Sequence, residues 1–220
     1  MEDLKIESQK QPAHELAYRK LREMILFGEL APGQAVTIQG LVADLDTGIT
    51  QVREAIRRLT AEGALEFKDN RRIAVPRLTL PQLDELSFAR LEIEPYLSKL
   101  ATKRMNGADI QRLNIIDKTL NMAIAQGDIR GYLEQNYYFH RELYALSQAT
   151  ILISISNALW LRVGPSLRVG CGRHGTLNLP DKHEEALAAM RINDADAVAS
   201  AIKEDIEQGH QHIRSTLLGK

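Results

Sequence analysis

The segment from Thr50 to Gly63 most narrows what this chain can fold into, because it has the pattern of one short helix with two different faces. Its apolar residues recur at i, i+3, i+4 and i+7 and build one buried stripe; they are Val52, Ala55, Ile56 and Leu59. Three arginines lie off that stripe, at positions 53, 57 and 58. A helix that is apolar on one side and basic on the other is typical of an element placed in a DNA groove. An ordinary surface helix has the same pattern, so the flanking residues must decide.

The flanking residues predict a series of short elements. Gly28 and the Pro32-Gly33 turn end a first helix, and Gly63 is typical of the residue that follows a helix. Gly48, in the link before the basic helix, either takes a positive φ or caps that helix. The predicted elements are helices over 14–27, 38–45 and 50–62, and strands over 64–67 and 73–75. This order predicts a winged helix-turn-helix over residues 1–76.

The remainder of the chain has an almost continuous helical pattern. Pro76 and Pro81 bracket a short linker, residues 77–81. Apolar periodicity with Gly, Asn and Pro as punctuation predicts a helix break near Gly164-Pro165 and a loop over 171–180. The predicted helices cover 82–105, 109–126, 128–147, 150–170, 181–192 and 194–217. The predicted fold class is therefore mainly α: the winged domain plus an all-α antiparallel bundle of six or seven helices over 82–220.

Composition excludes several classes of protein. The 220 residues carry a net charge of −1, but residues 50–77 have seven basic and four acidic side chains, so a basic surface is expected only there. No apolar run approaches the roughly 18 residues that a membrane helix needs. The first residues have no pattern of a secretory signal, and the single Cys171 excludes an internal disulfide. We therefore expect a cytoplasmic protein without membrane contact.

Polar residues on inward helix faces point to a possible binding site. Asn136 and His140 are four residues apart on one face of the 128–147 helix, so that their side chains project together. His183 lies in the first turn of the next-to-last helix, and Asp205 lies on the inner stripe of the last helix. Imidazoles and a carboxylate suit a divalent metal such as Zn, Ni or Mn. Hydrogen-bonded core histidines without a metal remain the alternative.

The N-terminal residues resemble the GntR family of bacterial transcription regulators. The match consists of a Pro-Gly turn, a helix, a Val-Arg-Glu-Ala helix, Glu-Gly and the end of the wing; it covers Pro32-Gly33, Leu41 to Leu45, Val52 to Ala55, Leu59, Glu62-Gly63 and Val75. This resemblance implies a dimer that binds a palindromic operator in double-stranded DNA. The DNA-binding residues that it implies are Thr50, Gln51, Arg53, Arg57, Arg71 and Arg72.

Two departures from the family pattern affect the expected DNA contacts. Relatives have Ser-Arg-Thr-Pro where this chain has Gly48-Ile49-Thr50-Gln51, and Ile49 cannot donate a hydrogen bond to guanine. We expect an operator that differs from the common one, or an affinity that depends more on phosphates. The wing has Arg71-Arg72 where Arg-Gly is usual, which adds a charge within reach of the backbone or the minor groove.

The C-terminal residues resemble the effector-binding (FCD) domain of FadR-type regulators, through Arg90 to Pro95, Phe139-His140, and His183 with Asn193-Asp194. Relatives often bind a divalent metal through an Asp-x-x-x-His pair, a later His and a final His. At the matching positions this chain has Asn136, His140, His183 and Asp205, so an amide replaces an acid and an acid replaces a histidine. His212, seven residues after Asp205, is a competing ligand.

The resemblance implies a regulator, most simply a repressor, that senses a small organic acid in the helical domain. The effector-binding residues expected from it are Arg90, Tyr137 and Arg162. Two alternatives remain at this point. One is a metal-dependent helical enzyme whose N-terminal domain tethers it to DNA or a partner; the other is a DNA-binding domain joined to a purely structural dimerisation bundle.

Overall fold

The computed structural model describes residues 12–68, 72–174 and 180–219, and the fold class expected from the sequence is confirmed. Arg71 and residues 175–179 lie outside the described residues. The loop expected over 171–180 is wrong for residues 171–174, which belong to a helix instead. The helices of the first domain are α1 (Ala13–Leu26), α2 (Ile38–Leu45) and α3 (Ile49–Ala61). The helices of the second domain are α4 (Leu80–Thr102), α5 (Gly107–Gln126), α6 (Ile129–Ala145), α7 (Thr150–His174), α8 (Lys182–Arg191) and α9 (Ala195–Leu217).

The winged domain closes with a small antiparallel sheet of β1 (Ala35–Val36), β2 (Glu66–Phe67) and β3 (Ile73–Ala74). The strand order is β1-β3-β2, so β3 pairs with both neighbours. The sequence did not indicate β1, because a two-residue strand is too short for alternation to be visible. The apolar stripe of α3 is fully buried, as predicted.

Local signals set the ends of α3. Gly48 is its N-cap residue, with φ of −72°, and the left-handed residue of the link is Asp46, with φ of 47°. The capping alternative for Gly48 therefore holds, and the positive-φ alternative does not. Gly63 follows the helix with φ of 74°, a conformation that costs glycine little, and thereby ends the helix as predicted.

Two more boundaries in the helical domain differ from the prediction. Helix α4 begins at Leu80, because Thr79 caps it in a capping box with Gln82 and Pro81 fits the first turn. The predicted break near Gly164-Pro165 is wrong, since α7 continues through both residues. A Cβ atom on Gly164 would lie 2.4 Å from the carbonyl oxygen of Leu26, so the glycine permits a close approach of α1 rather than a break.

The two domains share apolar packing. One hydrophobic cluster joins Leu21, Ile25 and Phe27 of the first domain to side chains of α6, α7 and α9, including Tyr137 and Trp160. A second cluster fills the far end of the helical domain between α4, α5, α6, α8 and α9. Because a single close-packed core spans the junction, a shift of α6 or α7 strains the packing of α1. Within the described residues, none of the helices has the length and hydropathy needed to cross a bilayer.

Candidate metal and effector site

Three helices bring His140, His183 and Asp205 together. Their ligand atoms all lie within 4.8 Å of one another. His140 Nε2 is 3.0 Å from Asp205 Oδ2 and 3.3 Å from His183 Nε2. His183 Nε2 is 3.8 Å from Asp205 Oδ1. The sequence placed His140 and Asp205 on inward faces and His183 in the first turn of its helix, and the structure shows that α6, α8 and α9 converge there.

Partners behind the two rings determine which ring nitrogens face the centre of the cluster. The hydroxyl of Tyr144 donates to Glu94 at 2.8 Å, so its oxygen accepts from His140 Nδ1 at 2.9 Å. His183 Nδ1 lies 3.3 Å from the carboxylate oxygen Oδ1 of Asp117. With the protons on both Nδ1 atoms, both Nε2 lone pairs point at each other and at the Asp205 oxygens. Electron-pair donors that converge in this way repel one another unless a metal cation or a proton lies between them.

The pKa shifts agree with this arrangement. Burial is the largest influence on the pKa of His140 and lowers it, so this ring is neutral. Burial by itself lowers the pKa of His183, but Asp117 and Asp205 outweigh it and raise that pKa. Burial by itself raises the pKa of Asp205, yet its contacts with His140 and His183 lower it to about 2. Without a metal, Asp117 and Asp205 therefore favour a positive charge on His183.

The charges around the cluster do not balance. Asp205, Asp117 and Glu94 contribute three negative charges, and Arg90 contributes one positive charge, which leaves −2 when both imidazoles are neutral. Asp117 Oδ1 is buried and attracts the Nδ1 proton of His183 as a negative charge 3.3 Å away, rather than through a well-aligned hydrogen bond. A divalent cation between the two Nε2 atoms and Asp205 would cancel this charge.

Two cavities border the cluster. The first, of about 260 Å³, is lined by His183, Asp205, Asn136 and Tyr132 among others. The second, of about 40 Å³, is also lined by Asn136 and Asp205, and by Arg90 and His212. Asn136 therefore lies beside the cluster, as the resemblance implied, and His212 lies in the wall of the smaller cavity. The geometry leaves one side of the cluster open to a small ligand.

Arg90 lines the smaller cavity but is already bonded on several sides. Its guanidinium forms two hydrogen bonds to Glu94, at 2.8 and 3.0 Å, and a third contact of 3.2 Å to His210. Its Cζ atom lies 4.3 Å from the centre of the Trp160 ring. These contacts fix Arg90 as part of the cavity wall.

Tyr137 and Arg162, the other two predicted effector residues, lie where the domains meet. The Tyr137 hydroxyl accepts from both terminal nitrogens of Arg22 on α1, at 3.3 Å. Arg162 reaches the carbonyl of Glu62, at 3.5 Å, and lines a cavity of about 480 Å³ between the wing and α4. The structure therefore does not bring Tyr137 and Arg162 together with Arg90 at one cavity.

The predicted DNA-binding residues occupy the open face of the winged domain. Thr50, Arg53 and Arg72 are exposed, and Gln51 is half-buried. Arg57 is exposed but paired with Glu54 on its own helix, at 2.6 Å. Among the described residues, none forms an ion pair or a side-chain hydrogen bond with Arg53. The open face thus presents one unpaired guanidinium on α3 and another basic side chain on the wing.

The sequence analysis did not single out Asp117, Tyr144 or Glu94. Asp117 and Glu94 are acidic residues buried in the middle of helices. Acids are rarely buried without a partner, so an acid on an apolar helix face is a signal for a buried ion pair or hydrogen bond. Glu94 is four residues after Arg90, and Tyr144 is four residues after His140, so helical spacing could have indicated these two contacts. The contact of Asp117 with His183 had no such local signal.

Comparison with protein families gives two matches along this chain. Residues 14–75 match the bacterial regulatory proteins of the gntR family, and residues 85–208 match the FCD domain. The second match alone covers more than half of the chain.

Individual relatives agree with the family matches. The HTH-type transcriptional regulator McbR of Escherichia coli (strain K12) is 28% identical over 191 residues, which are 86% of each chain. The HTH-type transcriptional repressor RspR of the same organism is 22% identical over 93% of this chain and 90% of RspR.

Solved structures show the same fold. The structure of E. coli McbR/YncC superposes with a TM-score of 0.87 at 26% identity, covering 93% of this chain and 98% of the other. A GntR regulator from Rhodococcus sp. RHA1 gives a TM-score of 0.76 at 20% identity, over 92% of this chain and 97% of that one.

Proposed function

This chain belongs to the GntR family of bacterial transcriptional regulators with an FCD domain, and we propose that its FCD domain binds a divalent metal that in turn binds an organic acid effector. The family is one of regulators, which supports a ligand-responsive transcription factor over the enzyme alternative. We further propose that the protein acts in the cytoplasm, where its DNA is. The observation that carries the proposal is the convergence of two Nε2 lone pairs and a carboxylate on one point.

The donor set fits a divalent metal. His140, His183 and Asp205 would hold the ion, and two imidazoles with one carboxylate suit Zn, Ni or Mn. Tyr144 and Asp117 contact the rings from behind, an arrangement that orients metal-binding histidines. When bound, the metal supplies a positive charge and open coordination positions for a carboxylate or hydroxyl group. Asn136 would add a neutral and weaker oxygen donor.

The charges that line the smaller cavity favour the metal, rather than an arginine, as the group that attracts the organic acid. Arg90 is neutralised by Glu94, and Asp205 adds a negative charge at the cavity wall. An anion therefore has no unpaired described cation to meet in the smaller cavity. We propose that Arg90 shapes the wall, while Tyr137 and Arg162 transmit the occupancy of the site to the winged domain.

The test combines metal and acid in one series of thermal unfolding measurements. Full-length protein stripped with EDTA is titrated with Zn²⁺, Ni²⁺ or Mn²⁺, and then with a panel of small carboxylic acids. Metal at 100 times its dissociation constant adds about 2.7 kcal/mol, which raises Tm by about 5–10 °C. The acid should raise Tm further only when metal is present. His183→Ala should abolish both shifts, and His14→Ala, an exposed histidine on α1, should leave them unchanged.

Two outcomes would contradict this proposal. An equal acid shift with EDTA would show that the effector does not need the metal. Absence of any metal or acid shift would favour the structural bundle over an effector domain.

We also propose that the regulator binds its operator as a homodimer, most simply as a repressor. Two winged domains would contact two half-sites, with Arg53 and Thr50 of α3 and Arg72 of the wing nearest the DNA. Exposed apolar side chains on α4 and α7 offer a surface for a second copy; they are Phe88, Tyr96, Ile151 and Ile155. Light scattering of the wild type and of Phe88→Asp checks this, and an unchanged dimer in the variant would exclude that surface.

A further inference from the structure

The N-terminal end of α3 carries an exposed apolar side chain. Ile49 is the first residue of α3, and 46% of it is exposed, whereas the four residues of the apolar stripe are buried. Its neighbour Thr50 and Arg53, one turn further on, are exposed as well. Ile49 therefore does not belong to the core of the winged domain.

Other side chains of α3 are engaged elsewhere. Arg58 pairs with Glu15 of α1 at 2.7 Å, and Arg57 pairs with Glu54. Gln51 folds back over the start of the helix, since a Cβ on Gly48 would lie 2.5 Å from Gln51 Oε1. In the first two turns of α3, the exposed side chains without a partner among the described residues are therefore Ile49, Thr50 and Arg53.

The second helix of a helix-turn-helix lies in the major groove, and its N-terminal residues contact base edges. An isoleucine has no hydrogen-bond donor or acceptor, so it cannot distinguish bases by polar contacts. In the major groove, the apolar group that distinguishes one base from the others is the C5 methyl of thymine. Burying that methyl against Ile49 removes apolar surface from water on both sides of the contact.

We propose that Ile49 is a specificity-determining residue that packs against the C5 methyl of one thymine in each operator half-site. This inference rests on the proposed operator binding. Arg53 and Thr50 then supply the polar contacts beside it. The discrimination is modest, because loss of one buried methyl-sized group weakens binding by about fourfold per half-site.

Deoxyuridine substitution tests the methyl contact directly, since it removes only the C5 methyl and retains base pairing. Full-length protein first selects its preferred duplex from a random pool. Each thymine of the selected half-site is then replaced in turn, and Kd is measured by fluorescence anisotropy. At one thymine position of the half-site, replacement by deoxyuridine in both half-sites should weaken wild-type binding by about 16-fold.

Variants connect that position to Ile49. For Ile49→Ala, thymine and deoxyuridine duplexes should bind equally well, with the affinity that wild type has for deoxyuridine. Ile192→Ala, the same change at an exposed residue of the helical domain, should retain the wild-type discrimination. Ile49→Arg, reselected from the random pool, should exchange that thymine for guanine, because arginine binds the guanine edge in a bidentate manner.

The outcomes separate this inference from operator binding itself. If no duplex is enriched or bound, the proposed operator binding fails. If a duplex is bound but no thymine shows a methyl effect that Ile49→Ala removes, only the role of Ile49 is overturned. Selection of an unchanged sequence by Ile49→Arg would overturn it independently.

Discussion

The amide of Asn136 lines both cavities beside Asp205, one helical turn before His140. We predict that Asn136→Asp binds the divalent metal at least tenfold more tightly, because a carboxylate is a stronger donor than a neutral amide. The same variant should be less stable than wild type in EDTA, since it adds a negative charge to a cluster that already carries an excess. Competition with a chromophoric chelator and urea unfolding measure the two effects.

A matched control for this change is Gln135→Glu, which adds the same charge at the adjacent, half-buried residue of α6. Equal metal affinity in both variants would mean that only overall charge matters, and that Asn136 does not reach the ion.

Glu94 is fully buried and accepts hydrogen bonds from Arg90, Tyr144 and Trp160. We predict that Glu94→Gln lowers the free energy of unfolding by about 3–5 kcal/mol, because it leaves the buried Arg90 guanidinium without its counter-charge. Urea unfolding in EDTA measures this effect without a contribution from metal. Glu92→Gln, an exposed residue on the same helix, should change stability by less than about 0.5 kcal/mol. A loss of similar size at both positions would show that the ion pair is not the cause.

At the scale of elements, His210 of α9 contacts two side chains of α4 as a neutral imidazole. His210 Nε2 lies 3.2 Å from a donor nitrogen of Arg90, and its Nδ1 contacts the hydroxyl of Ser87. Burial, followed by the charges of Arg90 and Arg214, lowers the pKa of His210 to about 3. The ring therefore stays neutral in the folded protein at pH values where the unfolded chain binds a proton.

This shift predicts a pH dependence with a definite sign. The stabilising contribution is complete above the unfolded pKa of about 6.5 and is lost as the pH falls towards 3. Below pH 6.5 the free energy of unfolding should fall by about 1.4 kcal/mol per pH unit from this group. His210→Gln, which keeps a donor and an acceptor, should show a correspondingly flatter profile in urea unfolding between pH 4 and 7. Parallel profiles for the two proteins would assign the acid sensitivity to other groups.

For the helices, some features were predictable from the sequence and others were not. The apolar stripe of α3 and the inward face of α6 were predictable, because helical periodicity is a local property. The packing role of Gly164 within α7 was not, because the carbonyl of Leu26 for which it makes room is far away in sequence. Likewise, the contact of Asp117 with His183 joins two helices that are far apart in sequence, whereas Tyr144 is four residues after His140 on α6 and was within reach of helical spacing.

For the whole molecule, a series of ring contacts leads from the proposed metal site to the winged domain. The His140 ring lies 5.1 Å from Trp160, and Trp160 lies 5.6 Å from Tyr137. Tyr137 contacts the buried Phe27 at the end of α1, with ring centres 6.0 Å apart. Since Phe27, Tyr137 and Trp160 belong to one hydrophobic cluster and His140 contacts Trp160, a metal that stabilises α6 should also stabilise α1.

Hydrogen exchange tests this coupling directly. Saturation of the full-length protein with the metal at 100 times its Kd should slow amide exchange by up to about 100-fold in α6, α8 and α9. In wild type, the amides of α1 and α3 should slow as well, because the shared core opens as one unit. Phe27→Leu should weaken the effect in α1 while retaining it in α6, and Phe67→Leu, an exposed change on the wing, should leave both unchanged. Slowing confined to the helical domain of wild type would show that the domains open independently, so that an effector would have to act through the dimer arrangement instead.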